Sequence, residues 1–599
     1  NPLKRYELYS DNAVNNRILA AISPSFEILD GLTYKLNLGV DYSTTNRYQQ
    51  YRPYTEVINE SNISDGTLDV GISENTNKLV ENTLTYNWHS YPHNLTVLGG
   101  HSYQTFLDEY RLTSARGFAD NNIEPRYQDQ NSTSEYPTTV SSSAVKNELQ
   151  SFFGRVNYTF NDKYLFTGTI RADGSSKFGE NNKYGYFPSF ALGWNVTKED
   201  FMSNTVFNNL KVRASWGQTG NQEIPSKITK ASYSEDRLSS GSGSLNTYPI
   251  DTDATSLDGY PYGIVFTRLA NPDLQWEVST QLDFGIDFAF FNSRLNGTLD
   301  YFNKVSSNIL LEVVPADPVQ PTSTYWDNIP DMKIHNSGIE LALDYSSKEQ
   351  REFSYTIGGN VTFIQNEVKD SPYSVLTTGA AQGAGQTGAT INGYINGHPI
   401  GSFYMLEFDG IGEDGLNRFK DINGDGEVLD NDRRVVGSAI PKMIYGAHMN
   451  FNYKSLDLGL NFNGSAGSKV YNHTTMSLFT KAQLTRSNNT TDFAAQYPEE
   501  SFNNSNTVST RFLENGSYFR LNNATLGYNL NSEQIGLGDT FQNIRLSVTG
   551  QNLFVITDYS GFDPEVNTGS TSGGIQTFGI DRFTYPKART FSINLNMTF

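Results

Sequence analysis

The sequence has no cysteine in 599 residues, which excludes disulfide frameworks and thiolate metal sites. It also has no run of 18 apolar residues, so no segment can cross a bilayer as a helix. A barrel stays open, because its signal per strand is weak. Basic charge is short: 44 Lys and Arg stand against 64 Asp and Glu, a net charge of −20. That excludes the footprint of a nucleic-acid-binding protein. The seven histidines are scattered, with no H-E-x-x-H pair, and neither a G-x-S-x-G elbow nor a P-loop lysine is present. Glycosidase chemistry needs two carboxylates at a set distance across a cleft, which spacing along a chain does not fix. No catalytic residue is nominated, and the chain reads as a non-enzyme. No signal peptide opens it at Asn1, so it reads as mature or as the later part of something longer.

What the sequence does have is aromatic side chains and period-two patterning. Tyr (36) and Phe (37) are abundant, although only 37% of residues are apolar. Such a balance suits β structure, with Tyr and Trp at lipid boundaries. At the C-terminus Phe591, Ile593, Leu595, Met597 and Phe599 alternate with Ser592, Asn594, Asn596 and Thr598. One strand face is thus apolar and the other polar. Tyr34, Leu36, Leu38, Val40 and Tyr42 alternate with Lys35, Asn37, Gly39 and Asp41. Charge on the inner face argues for a wet lumen over a dry core.

Counting such segments predicts about seventeen strands, from 17–28 to 589–599. Tight turns such as N-D-K and K-S alternate strictly with long polar stretches at 43–77, 109–148, 218–275, 306–332, 369–443, 473–510 and 560–588. Short periplasmic turns and long outer loops give that segregation in a transmembrane antiparallel up-and-down β-barrel. Trp88, Trp194 and Trp216 read as girdle residues near strand ends. Short helices are predicted at Phe201–Phe207, periplasmic, and at Thr474–Arg486, in an outer loop. With both terminal strands running inward, an odd count cannot close antiparallel. The chain is therefore expected to be the C-terminal part of a larger barrel.

Eight strings occur in order: R-A-D-G-S-S-K-F-G (171–179), F-P-S-F-A-L-G-W (187–194), L-K-V-R-A-S-W-G-Q-T-G-N-Q (210–222), N-P-D-L-Q-W-E-V-S-T-Q-L-D-F-G-I-D-F (271–288), N-S-G-I-E-L (336–341), D-I-N-G-D-G-E-V-L-D-N-D-R (421–433), G-Q-N-L-F-V-I-T-D-Y-S-G-F-D-P-E-V (550–566) and Y-P-K-A-R-T-F (585–591). The series resembles the SusC/RagA family of TonB-dependent outer-membrane transporters of Bacteroidetes, over nearly the whole chain. The resemblance implies a barrel of about 22 strands filled by an N-terminal plug, with the plug and about five strands outside this chain. It implies import of oligosaccharides or oligopeptides, a SusD-like surface lipoprotein as lid, and TonB-ExbB-ExbD pulling on the plug. Two other expectations remain: a secreted or surface β-rich glycan-binding protein or hydrolase, and a passive porin.

Asp421, Asn423, Asp425, Gly426, Glu427 and Asp432 occupy positions 1, 3, 5, 6, 7 and 12 of an EF-hand-like loop within the long outer loop 369–443. That spacing wraps oxygens round a hard cation such as Ca²⁺, with Glu427 offering its backbone carbonyl and Gly426 the sharp turn. A Gly/Asp-rich turn without metal is the alternative. G-A-G-Q-T-G (383–388) lacks the strand–turn–helix context of a dinucleotide site and reads as a mobile outer loop able to contact a lid. Tyr248, Tyr260, Tyr262, Tyr325 and Trp326 are candidates for contact with substrate or lid, since aromatic faces pack on sugar rings and peptide side chains. Plain loop packing is the competing role.

Overall fold

The computed structural model describes residues 8–52, 66–118, 138–236, 263–313, 324–347, 352–381, 389–486, 492–530, 536, 541–569 and 575–598. Two compact units divide the chain: Asn1–Tyr158, Thr167–Pro188 and Gln222–Trp276 form one, and Thr159–Phe166, Ser189–Asn221 and Glu277–Phe599 the other.

In the first unit, Leu32–Tyr51 pairs antiparallel with Thr67–Ser90, and Thr67–Ser90 with His93–Arg116. The last two strands have 24 residues each and keep one unbroken register from Thr67↔Arg116 to Ser90↔His93. Tyr9–Ile22 and Ser25–Leu29 both pair with Leu32–Tyr51, with Ile22↔Leu38 and Ser25↔Lys35 in the same register. They are one strand interrupted at Pro24, which has no N–H to give to a ladder. Counted as one, they bring the main antiparallel strands to the seventeen expected.

In the second unit each strand pairs with the next in sequence. Phe207–Asn221, Glu277–Phe290, Leu295–Ser307, Lys333–Ser346, Phe353–Lys369, Met443–Tyr453, Leu456–Ala466, Tyr518–Leu530, Asn543–Thr557 and Thr590–Thr598 follow one another, all antiparallel. The apolar face of this ladder is the exposed one. Phe284, Tyr301, Ile339 and Phe363 lie side by side across four strands, each between 42% and 53% exposed. The opposite face carries Arg213, Asp300, Glu340 and Thr362 in a parallel row. In the first unit, exposed Leu38, Val80 and Tyr103 form an equivalent row.

Three expectations need correction. Several strands run far past their apolar stretch: 33–42 becomes Leu32–Tyr51 and 95–102 becomes His93–Arg116. A strand of 9–11 residues suffices to span a bilayer; beyond it both faces meet water, and alternation stops while backbone pairing continues. Loop-length alternation is not strict either. The connection 176–183 is shorter than 196–206 on the turn side, because 176–183 is held by bonds from Gly179 N to Leu274 O and from Asn181 N to Pro272 O. Finally, Phe201–Phe207 is not a helix. Short 3-10 turns occupy Val196–Lys198 and Asp200–Met202, and Phe207 opens a strand. The helix expected at Thr474–Arg486 is present in two pieces, an α-helix at His473–Leu478 and a 3-10 turn at Lys481–Arg486.

The described residues of the long connections in the second unit are folded. Val375–Ala380, Thr390–Ile395, Ser402–Met405 and Arg434–Ser438 form a four-stranded sheet. Ile391, Phe403, Met405, Tyr471, Met476 and Phe512 share one buried cluster, and Ile309, Leu311, Met332, Val368, Tyr394 and Ile575 another. Burial pushes the Tyr394 hydroxyl up to about 12.

Candidate functional site

The acidic loop 421–432 folds around its own carboxylates. Asp421 accepts the backbone N–H of Gly424 at 2.6 Å and of Gly426 at 2.8 Å. Both glycines have positive φ, +76° and +87°, which an L side chain adopts only at a cost. Asn423 accepts Asp425 N at 2.8 Å, and Asp425 accepts Glu427 N at 2.9 Å. The buried Asp432 closes the loop, accepting Ile422 N at 2.7 Å and Leu429 N at 2.9 Å. The Glu427 N–H, with the Asn423 amide, holds the Asp425 carboxyl below the usual range. The Leu429 N–H does the same for Asp432, ahead of Ile422 and Asn423. The side-chain acceptors of the loop are all oxygens, which fits a hard cation. Among the described residues, however, no group of three or more His, Cys, Asp or Glu is gathered as a metal cluster, and the hydrogen bonds above shape the turn.

Tyr325 and Trp326 lie on the short strand Tyr325–Ile329, paired with Ile309–Val313. Tyr325 packs against the second buried cluster and donates to Asp327 at 3.2 Å. Both rings are partly buried, and Tyr325 serves loop packing. Tyr248, Tyr260, Tyr262 and the string 383–388 lie outside the described residues.

Two buried arginines went unnoticed in the sequence. Arg511 and Glu500, each 1% exposed, form a bidentate pair at 2.8 Å and 2.8 Å. The guanidinium also faces the rings of Phe408, Phe493, Tyr497 and Phe512 at 5.0–5.5 Å. Burial raises the Glu500 carboxyl, but Arg511 outweighs it and leaves the group charged below its usual range. Arg520 collects residues from two of the signature strings. It donates to Asn552 at 2.7 Å and to Asp563 at 2.8 Å and pairs with Glu565 at 3.0 Å; Lys587 then pairs with Glu565 at 3.0 Å. In the first unit, Phe178 of R-A-D-G-S-S-K-F-G packs at a tilt against Trp276 of N-P-D-L-Q-W, 4.7 Å between centroids. A Cβ on Gly179 would stand 1.9 Å from Pro272 O, so only glycine fits there.

The polar strand face repeats one device, a basic and an acidic side chain meeting across a glycine. Arg213 reaches Asp300 at 2.9 Å over Gly285, and His448 reaches Asp344 at 3.0 Å over Gly358. Arg545 meets Asp457 over Gly527 in the same way. At the short turns, Glu199 accepts from Lys163 (2.8 Å), Tyr164 (2.7 Å) and Trp194 (3.1 Å), donors that hold its carboxyl at about 2. Trp194 has an exposed ring whose N–H is bonded near a strand end.

Exposed apolar rows, charged opposite rows and sequence-neighbour pairing together describe a membrane barrel wall. The family model of TonB dependent receptor-like β-barrels matches residues 4–553. The chain belongs to this family. Its place is accordingly the bacterial outer membrane, with lipid against the exposed apolar rows. TonB-dependent receptor P3 of Formosa agariphila is 33% identical over 96% of the chain and 57% of its own length. SusC of Bacteroides thetaiotaomicron is 26% identical over 100% of the chain and 57% of its own length. The RagAB peptide transporter shares the fold, with a TM-score of 0.81 at 21% identity over 99% of this chain and 63% of that one. The chain thus spans little more than half the length of these curated relatives, which are receptors and not enzymes by name. Family membership replaces the expectation of a secreted β-rich protein.

Proposed function

We propose that the transporter carrying this chain imports oligosaccharides or oligopeptides across the outer membrane, with a SusD-like surface lipoprotein as its lid. Likeness to SusC along the whole chain carries this reading. TonB-ExbB-ExbD would supply energy by pulling on a plug contributed by residues outside this chain. The physical reason is that a wide, wet lumen needs a removable stopper, and the outer membrane has no energy source of its own. This chain supplies the wall, the charged lumen face and the connections 370–442, 467–517 and 558–589, whose described residues are folded. Uptake of labelled oligosaccharides and oligopeptides by cells with and without TonB and a SusD-like lipoprotein tests the reading. Uptake lost in both deletions supports it. Uptake unchanged without tonB replaces it with a passive porin.

The loop 421–432 is read as a Ca²⁺ site with Asp421, Asn423, Asp425 and Asp432 as side-chain ligands and Glu427 through its backbone. The ion would neutralise three carboxylates and stiffen the loop. Terbium luminescence on the purified transporter, displaced by Ca²⁺ and abolished in Asp421→Asn/Asp425→Asn, is the expected result; no terbium signal returns the loop to a metal-free turn.

A further inference from the structure

The connection 196–206 stands on the turn side, between the strands Tyr184–Asn195 and Phe207–Asn221, and is longer than a tight turn requires. Its beginning is tied to the lipid-facing wall. Trp194, Val212, Ile286 and Leu299 lie side by side across four strands, each 38–40% exposed. Their face is the one that carries Phe284 and Tyr301 two residues away. Glu199 accepts the Trp194 Nε1–H at 3.1 Å and the Tyr164 hydroxyl at 2.7 Å, and pairs with Lys163 at 2.8 Å. The turn is thus clasped to a ring of the lipid-facing row, on that side of the wall.

Past the clasp, Phe201 is 68% exposed and Val206 76%. At the strand ends that follow, Phe207 packs against Phe290 at 4.7 Å and Phe290 against Phe291 at 6.2 Å; Phe291 is 66% exposed. Single exposed apolar side chains are ordinary on a surface in water. Here three of them extend a face that already meets lipid. Depth follows from the backbone. Val196–Lys198 and Asp200–Met202 are short 3-10 turns, and lipid-exposed irregular backbone is not tolerated in hydrocarbon. The exposed Ser203, Asn204 and Thr205 also need water. The headgroup boundary meets both demands, since apolar side chains reach the acyl chains while backbone and polar groups stay wet.

We propose that the turn 196–206 is an interfacial anchor. Phe201 and Val206 enter the periplasmic leaflet of phospholipid, and Glu199 is the clasp that holds the turn against the wall. The inference stands apart from the import reading and from any cargo. It is tested on the full transporter in vesicles of phosphatidylethanolamine and phosphatidylglycerol, with any cysteine outside this chain replaced. A bimane fluorophore is placed at Phe201→Cys, at Val206→Cys and, as the wet control, at Asp30→Cys in the exposed turn after Leu29. Labels at 201 and 206 should emit at shorter wavelength than the control. Phospholipid carrying a doxyl group near its headgroup should quench them, and iodide should reach them several-fold less than it reaches position 30. Glu199→Ala should raise iodide access at 201 while heat-dependent gel migration shows the barrel still folded. Equal iodide access at 201 and 30, or no doxyl quenching at 201, overturns the anchor and leaves Phe201 free for a periplasmic protein. Unchanged iodide access in Glu199→Ala on a folded barrel overturns the clasp.

Discussion

The long strands of the first unit and the folded connections of the second solve the same problem differently. Both carry backbone past the lipid, where each N–H and C=O still needs a partner. Thr67–Ser90 and His93–Arg116 simply keep pairing for 24 residues, so the ladder itself satisfies the backbone. Polar side chains on both faces join across it, as Arg111 and Glu74 do at 2.9 Å. Met443–Tyr453 and Leu456–Ala466, by contrast, stop after 11 residues each. The chain beyond the second of them builds a core around Tyr471, Met476 and Phe512 and buries the Arg511–Glu500 pair. An extended ladder depends on many weak neighbours, whereas a packed connection depends on a few buried ones. Single substitutions should therefore hurt the second far more.

The largest expected effect is at the buried pair. Glu500→Ala strands Arg511 inside the aromatic cage and should cost ~3–5 kcal/mol, read as new proteolytic cleavage within 473–512 while the main ladder stays folded. Ile339→Arg comes next. On a lipid-facing row an arginine costs ~2–4 kcal/mol near the midplane, measured as lost folding efficiency into bilayers; in water such an exposed position would tolerate the change. In the first unit, Gly179→Ala drives a Cβ into Pro272 O and should cost ~1–3 kcal/mol, seen as a lowered melting temperature. The smallest effect is expected on the ladder itself. Arg111→Ala removes a half-exposed ion pair worth about 0.2–1 kcal/mol; a loss as large as that of Glu500→Ala would erase the contrast between the two regions.

The acidic loop adds a pH dependence. Asp425 and Asp432 sit below their ordinary value of 3.8 in the folded loop. A carboxyl depressed by folding adds stability above its unfolded value and loses it as pH falls through the folded one. Proteolytic protection of 421–432 should thus be flat at neutral pH and decline only below about 3.8. Protection lost near pH 6 would contradict the assigned hydrogen bonds.

The sequence was readable where physics repeats at short range. Alternation located all seventeen strands, since lipid on one side and water on the other leave a period of two. It missed the outer halves of Thr67–Ser90 and His93–Arg116, because water on both faces leaves no period to see. The signature strings identified the family, but their job was hidden. Arg520, Asp563 and Lys587 meet only after folding, as do Phe178 and Trp276, and no local pattern joins residues tens of positions apart. Arg511, between Thr510 and Phe512, stands in no local pattern that marks it as buried. The turn geometry of 421–432, by contrast, follows from its spacing, with Asp421, Asn423 and Asp425 each accepting a backbone N–H a few residues on.

The central claim is that the exposed apolar rows face hydrocarbon and the charged rows face water. No cysteine within these 599 residues competes with a label placed there. Labels at Ile339→Cys and Ile593→Cys, compared with Glu340→Cys and Asn594→Cys, can be exposed to oxygen and to a water-soluble nickel complex in reconstituted bilayers. The account predicts that the first pair meets oxygen and escapes nickel, while the second pair does the reverse. Equal nickel access at Ile339 and Glu340 would contradict it.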